Sequence, residues 1–162
     1  MALLLIVRVD NTQMDRQSLR PMNMRKLTDH VTPGNQLNES IKIEVRDEPG
    51  AGGACHRYDI TGFDTTNGTG NPSATAEDYR ASFSRTIILF QNGAIKDVGG
   101  VNGVSQEALL AIVIDRLRGF QSGEFKTREN AVALTHLETA LLWLHKRTID
   151  RMNRGVEGTN QK

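Results

Sequence analysis

The chain has 162 residues, enough for one domain with a core of its own. Lys and Arg number 20 against 19 Asp and Glu, and the net charge of +1 excludes the broad basic field of a general nucleic-acid coat. A single cysteine, Cys55, excludes an intramolecular disulfide and a cysteine-based zinc site, and suits a reducing cytoplasm. Aromatic residues make up only 5%, so the core must rest on Leu, Ile, Val and Ala.

The apolar run Ala2 to Val7 is too short to span a bilayer, which takes about 20 apolar residues. It has no basic stretch before it and no small-residue cleavage site after it, so no signal peptide is expected. Residues 1–21 read as an N-terminal extension to a domain that begins near Met22. An edge strand over Leu3 to Val9 is the open alternative.

An antiparallel β domain is expected over 22–104. Ile41, Ile43 and Val45 alternate with Lys42, Glu44 and Arg46, the period of a half-buried strand. Glu48 to Ala54 is a glycine-rich turn. It lacks the G-x-G-x-x-G spacing, and a strand rather than a helix follows, so it is not a dinucleotide loop. His56 to Phe63 reads as a second strand. Residues 64–82 have no hydrophobic period and read as a mobile loop. Thr86 to Phe90 is almost wholly apolar, which predicts a central strand. Asn92-Gly93 predicts a type I′ hairpin into a fourth strand, Ala94 to Val98.

Residues 105–162 read as a helical hairpin and tail. Ser105 is an N-cap for a helix carrying Leu109, Leu110, Ile112, Val113, Ile114 and Leu117, apolar on most sides and expected to be buried, with Gly119 as its stop. Thr127 caps a second helix that runs to Gly155, about 27 residues or roughly 40 Å. Its leucines, Leu134, Leu137, Leu141 and Leu144, recur at heptad-like spacing and need a partner, for which a second copy of the chain is the first candidate. The predicted class is α+β: a small antiparallel sheet followed by a C-terminal two-helix hairpin, oligomerising through the long helix.

Arg147, Arg151 and Arg154 fall at i, i+4 and i+7 on one face of that helix. Three guanidiniums there suit an anion, since Arg makes bidentate phosphate contacts and stacks on bases. Taken by itself, the stripe favours a solvated basic helix end with Asp150 as local counter-ion. Phe120, on the Gly119 to Thr127 linker, is either a purine stacker or a plug. Asn130 either reads a polar ligand edge or bonds backbone. His30, His56, His136 and His145 form no metal-ligand spacing, and no nucleophile or carboxylate pair stands out, so neither a metal nor catalysis is expected.

Several stretches together resemble the first type of phage Thoeris anti-defence signal sponge, a family that shares its C-terminal hairpin with an anti-CBASS cyclic-oligonucleotide sponge family. They are Arg25 to His30, Asp47 to Ala54, Phe90 to Gly93, Val101 to Gly103, Asp115 to Leu117, Phe120-Gln121, Arg128 to Asn130, and Trp143 to Thr148 running into Arg154 to Thr159. The resemblance covers residues 22–162. It implies capture of cyclic ADP-ribose isomers made by TIR-domain sensors, without cleavage and without a cofactor, in the cytoplasm of an infected bacterial host. Some members also take CBASS cyclic di- or trinucleotides, and the family forms dimers that assemble into hexamers. Neither a nucleic-acid polymer nor a membrane is an implied partner. Carried onto this chain, Phe120 stacks on adenine, Asn130 fixes polar groups, and Arg147 and Arg151 hold base and pyrophosphate. Arg57 and Arg154 are further candidates, and Gly155, Val156, Glu157, Gly158 and Thr159 form part of an implied second nucleotide site.

Helix geometry adds a condition. Asn130 and Arg147 are 17 positions apart, so about 25 Å of helix separates them, more than a ligand about 10 Å across can bridge. One pocket that uses both must draw them from two antiparallel helices of different chains. A hydrolase acting on such signals and an assembly-only protein are the readings from other classes.

Overall fold

The computed structural model describes residues 25–64 and 85–161. The proposed extension 1–21, its alternative strand at Leu3 to Val9, and residues 65–82 of the proposed loop lie outside the described residues.

Among the described residues four strands, β1 (Arg25–Leu27), β2 (Lys42–Val45), β3 (Arg57–Thr61) and β4 (Arg85–Leu89), form one antiparallel sheet in that order. The register pairs Arg25 with Val45, Val45 with Tyr58 and Tyr58 with Ile88. Paired residues share a face, so Leu27, Ile43, Val45, Tyr58, Ile60 and Ile88 line one side. Val45 is the most deeply covered of them, at 1% exposure. The opposite side carries Lys26, Lys42, Glu44, Arg46, Arg57, Asp59 and Arg85. The short helix α1 (Gln36–Ser40) is capped by Asn35, whose side chain accepts from Asn38 N–H. It delivers the chain to β2 so closely that a Cβ on Gly62, at φ 89°, would lie 1.9 Å from the Ser40 carbonyl. Only glycine fits that crossing.

Two expectations about the sheet fail. Among the described residues β4 is an edge strand, not a central one. Its apolar run puts Ile88 on the apolar side, while Ile87 and Leu89 point to the charged side and are exposed in the single chain. The second failure is the fourth strand at Ala94 to Val98. Residues Ile95–Val98 form a helical turn, α2, closed by Gly99 at φ 78°. The Asn102 side chain fixes the turn: its Oδ1 accepts from Asn92 N–H at 2.9 Å and its Nδ2 donates to the Asn92 carbonyl at 2.9 Å. Val104 takes the place of the returning strand: its N–H donates to the Leu89 carbonyl at 2.8 Å and its carbonyl accepts from Gln91 N–H at 3.0 Å. The chain then passes Phe90 through a parallel bridge with Val104.

Helix α3 (Gln106–Ser122) starts where expected, with the Ser105 hydroxyl accepting from Ala108 N–H. It does not stop at Gly119. One interior glycine costs a helix about 1 kcal/mol, and the helix runs on to Gly123, so Phe120 lies within it rather than on a linker. Helix α4 (Arg128–Asn153) is capped by Thr127, as predicted, and ends before Gly155 at φ 69°.

The leucine seam has a partner inside the chain. Leu134, Leu137, Leu141 and Leu144 are half-covered, as are Leu110 and Leu117 of α3, and Ile114 between them is 3% exposed. These are the facing stripes of an antiparallel helix pair, which Arg118 and Glu138 tie at 2.6 Å. The expectation that α3 is buried on most sides fails in the single chain, because one partner helix covers only one stripe. Ile112 and Val113 stay exposed, as do Leu142, Trp143 and Ile149 of α4. No helix of the described residues is long and apolar enough to cross a membrane.

Candidate functional site

A cleft of about 930 Å³ opens where the sheet end, the start of α3, the last turns of α4 and the C-terminal tail converge. His56, Tyr58 and Phe90 come from the sheet end, Glu107 from α3, and His145, Arg147 and Arg151 from α4, with Glu157 to Thr159 of the tail at the rim. The Tyr58 and Phe90 rings meet edge to face at 5.6 Å and give the cleft an apolar floor. Burial pushes the Tyr58 hydroxyl pKa up, aided by Cys55 and Asp47 and opposed by Arg25.

The sheet end is held by Asp47. Its Oδ2 accepts from His56 N–H at 2.7 Å and its Oδ1 from Arg57 N–H at 2.9 Å. This pins the turn that carries the small residues Ala51 and Gly52 past the cleft. The His56 ring is 8% exposed, with Nδ1 3.8 Å from Asp47 Oδ2.

The arginine stripe divides into three roles. Arg147 is 54% exposed and donates from Nη2 to Glu107 Oε1 at 3.2 Å. Arg151 is 23% exposed and holds the tail. Nε donates to Glu157 Oε2 at 2.9 Å, Nη1 to the Gln161 carbonyl, and Nη2 to the Val156 and Thr159 carbonyls. The tail is fastened at its other side too: Lys96 N–H donates to the Gly158 carbonyl at 3.1 Å, and Asn160 Nδ2 to Asp97 Oδ2 at 2.5 Å. Arg154 is the helix C-cap, with Nε donating to the Asp150 carbonyl at 3.3 Å, and does not line the cleft. The Asp150 carboxylate pairs with Lys146 at 2.7 Å.

The structure thus brings Arg147 and Arg151 together with Glu157, Gly158 and Thr159, while Gly155 and Val156 form the turn behind them. It leaves Phe120 and Asn130 at the other end of the hairpin, either side of the 123–127 connection. The Arg116 guanidinium lies over the Phe120 ring at 5.1 Å. Asn130 N–H donates to the Thr127 hydroxyl at 3.1 Å. Arg57 sits on the charged sheet face, 3.7 Å from Asp59. Sequence reasoning missed Glu107, His56 and His145 as cleft residues. The one local signal for Glu107 was its place in a first helical turn, which suits any acid.

Residues 85–148 match the family model described as Acb2/Tad1, hairpin domain, a span that begins at β4 and ends inside α4. The hairpin is similar to the Acb2/Tad1 hairpin domain. Thoeris anti-defense 1 of Bacillus phage SBSphiJ7 is 46% identical over 95 residues, which are 59% of this chain and 65% of that relative. The chain therefore spans just under two thirds of the relative's length. The matched span supplies Glu107, His145 and Arg147 to the cleft. Arg151 and the tail lie beyond the matched span.

Proposed function

We propose that the chain is a phage anti-defence protein that binds cyclic nucleotide immune signals and holds them without cleaving them. The ligand class is a cyclic ADP-ribose isomer, with CBASS cyclic di- or trinucleotides as a second class, and the setting is the cytoplasm of an infected bacterium. One observation carries the reading: the Acb2/Tad1-like hairpin opens at one end onto a cleft where Arg147 and Arg151 stand side by side. Two guanidiniums over an aromatic floor suit a pyrophosphate-bearing nucleotide.

The complete site is a property of two chains. Arg147 and Arg151 of one chain meet Phe120 and Asn130 of the other, because about 25 Å of helix separates the two pairs within a chain. The apolar residues left open on the hairpin, Leu142, Trp143 and Ile149, support such an assembly, with a trimer of dimers as its larger form. The tail Gly155 to Thr159 belongs to a second nucleotide site, and Arg57 and Arg154 are outlying contacts.

The test is recovery of the ligand. Protein is incubated with the cyclic ADP-ribose isomer released by a bacterial TIR-domain sensor, filtered, and heat-denatured, and the filtrate is read by mass spectrometry. The expected result is depletion before heating and intact ligand after it. A product of altered mass would replace the sponge with a hydrolase, and no depletion would leave an assembly-only protein.

A further inference from the structure

Each of the two arginines proposed to hold the ligand is already paired with a glutamate inside the cleft. Arg147 meets Glu107 at 3.2 Å and Arg151 meets Glu157 at 2.9 Å. The two glutamates come from different segments, the first turn of α3 and the C-terminal tail, so the pairing is not an accident of one helix face. Glu107 is 18% exposed, more covered than Arg147 itself. The four charges cancel, and the cleft presents no net charge from these residues until the pairs part.

We propose that Glu107 and Glu157 are internal stand-ins for the anionic groups of the ligand, displaced from Arg147 and Arg151 when it binds, so that they set the charge a ligand must carry. The inference rests on the sponge reading above and deepens it. A carboxylate offers two oxygens to a guanidinium much as a phosphate does. A ligand with one negative charge can release one arginine and leaves the other pair intact. A pyrophosphate diester carries two negative charges and can replace both carboxylates at once. Neutral nucleosides offer nothing in exchange, and singly charged nucleotides can replace only one of the two carboxylates. The freed glutamates turn to solvent, which is open to Glu157 at 41% exposure.

The test is the affinity of charge-neutral variants for that TIR-made cyclic ADP-ribose isomer, by calorimetry at two salt concentrations. Glu107→Gln is expected to bind about five-fold more tightly than the parent, as removal of one competing ion pair predicts. Glu157→Gln, which alters a different segment, is expected to do the same. Glu129→Gln is the control: it removes a first-turn acid from α4, with the same effect on a helix dipole, outside the cleft. Its affinity should equal the parent's. A thermal melt of each variant separates binding from folding. Weaker or unchanged binding by both Glu107→Gln and Glu157→Gln, with Arg147→Ala still losing the ligand, overturns this inference and leaves the sponge reading in place. If the parent takes up no ligand and none of the variants does, both fall together.

Discussion

At the residue scale, the arginines proposed for one task differ in what the fold asks of them. Arg147 makes one bond to another residue's side chain, the exposed-pair kind that contributes about 0–1 kcal/mol. Arg147→Ala should therefore abolish ligand capture while shifting stability by less than about 0.5–1 kcal/mol in a urea melt. Arg151 is half-covered and makes four bonds to the tail, so it departs from the expectation of an exposed helix position. Arg151→Ala should cost about 1–3 kcal/mol and render residues after Gly155 sensitive to protease, because three carbonyls and Glu157 lose their donor. Equal protease resistance of the two variants would show that the tail does not depend on Arg151. Asp59 is a buried charge outside the cleft: it is 3% exposed, and Arg46, Arg57 and Arg85 converge on it. Asp59→Ala should destabilise the fold by about 2–4 kcal/mol while leaving the cleft residues chemically intact.

Among the described residues Tyr58 gives a pH dependence with a clear sign. Its folded pKa lies above its unfolded value because burial disfavours the phenolate. The folded state then binds the proton more tightly, so its contribution is fully present below pH about 10 and is lost as pH rises through the folded value. Tyr58→Phe should flatten the alkaline end of the stability profile, and an unchanged slope above pH about 10 would exclude Tyr58 as its source.

At the element scale, the hairpin carries its own start signals. The Ser105 and Thr127 hydroxyls each accept a backbone N–H three residues on, at 3.1 Å in both cases. Ser105→Ala and Thr127→Ala should each cost about 1 kcal/mol by chemical denaturation. The same three-residue reach makes these caps legible in a sequence, since nothing distant is needed to form them. The helix stops are less legible. Gly119 looked like a terminator and is only an interior glycine, because the residues after it, Phe120 to Ser122, tolerate a helix and Gly123 is the better stop. Likewise Asn92-Gly93 carries the local signature of a hairpin, and Val104, farther along the chain, overrides it by taking the Gln91 N–H and the Leu89 carbonyl.

At the scale of the whole molecule, the proposed capture site needs two chains. Leu142, Trp143 and Ile149 line an apolar groove of about 310 Å³ on the outer side of α4. If the proposed assembly forms through this groove, Trp143→Asp is expected to give monomers in sedimentation and to remove ligand binding with it. Full-affinity binding by a verified monomer would mean that the site is complete in one chain.

Features that need only neighbouring residues or a regular period were readable before the fold was known. Strand alternation at Ile43 and Val45, the two N-caps, the extent of α4 and the leucine stripe follow from spacing alone, and the motifs of the hairpin carried the family resemblance. Tertiary structure decided where these pieces sit. An all-apolar β4 is the same string of residues at an edge as at a centre, and only the strand order says which. The leucine stripe is equally silent on whether its partner is a second chain or, as it proves for the half-covered side, α3. The arginine stripe depends most on tertiary structure. Its spacing is a property of one helix, but Glu107 stands 40 positions away and the tail turns back beneath it. Charge pairing across such separations is fixed by packing, and it is packing that made Arg151 an anchor, Arg154 a cap and Arg147 the more available cation.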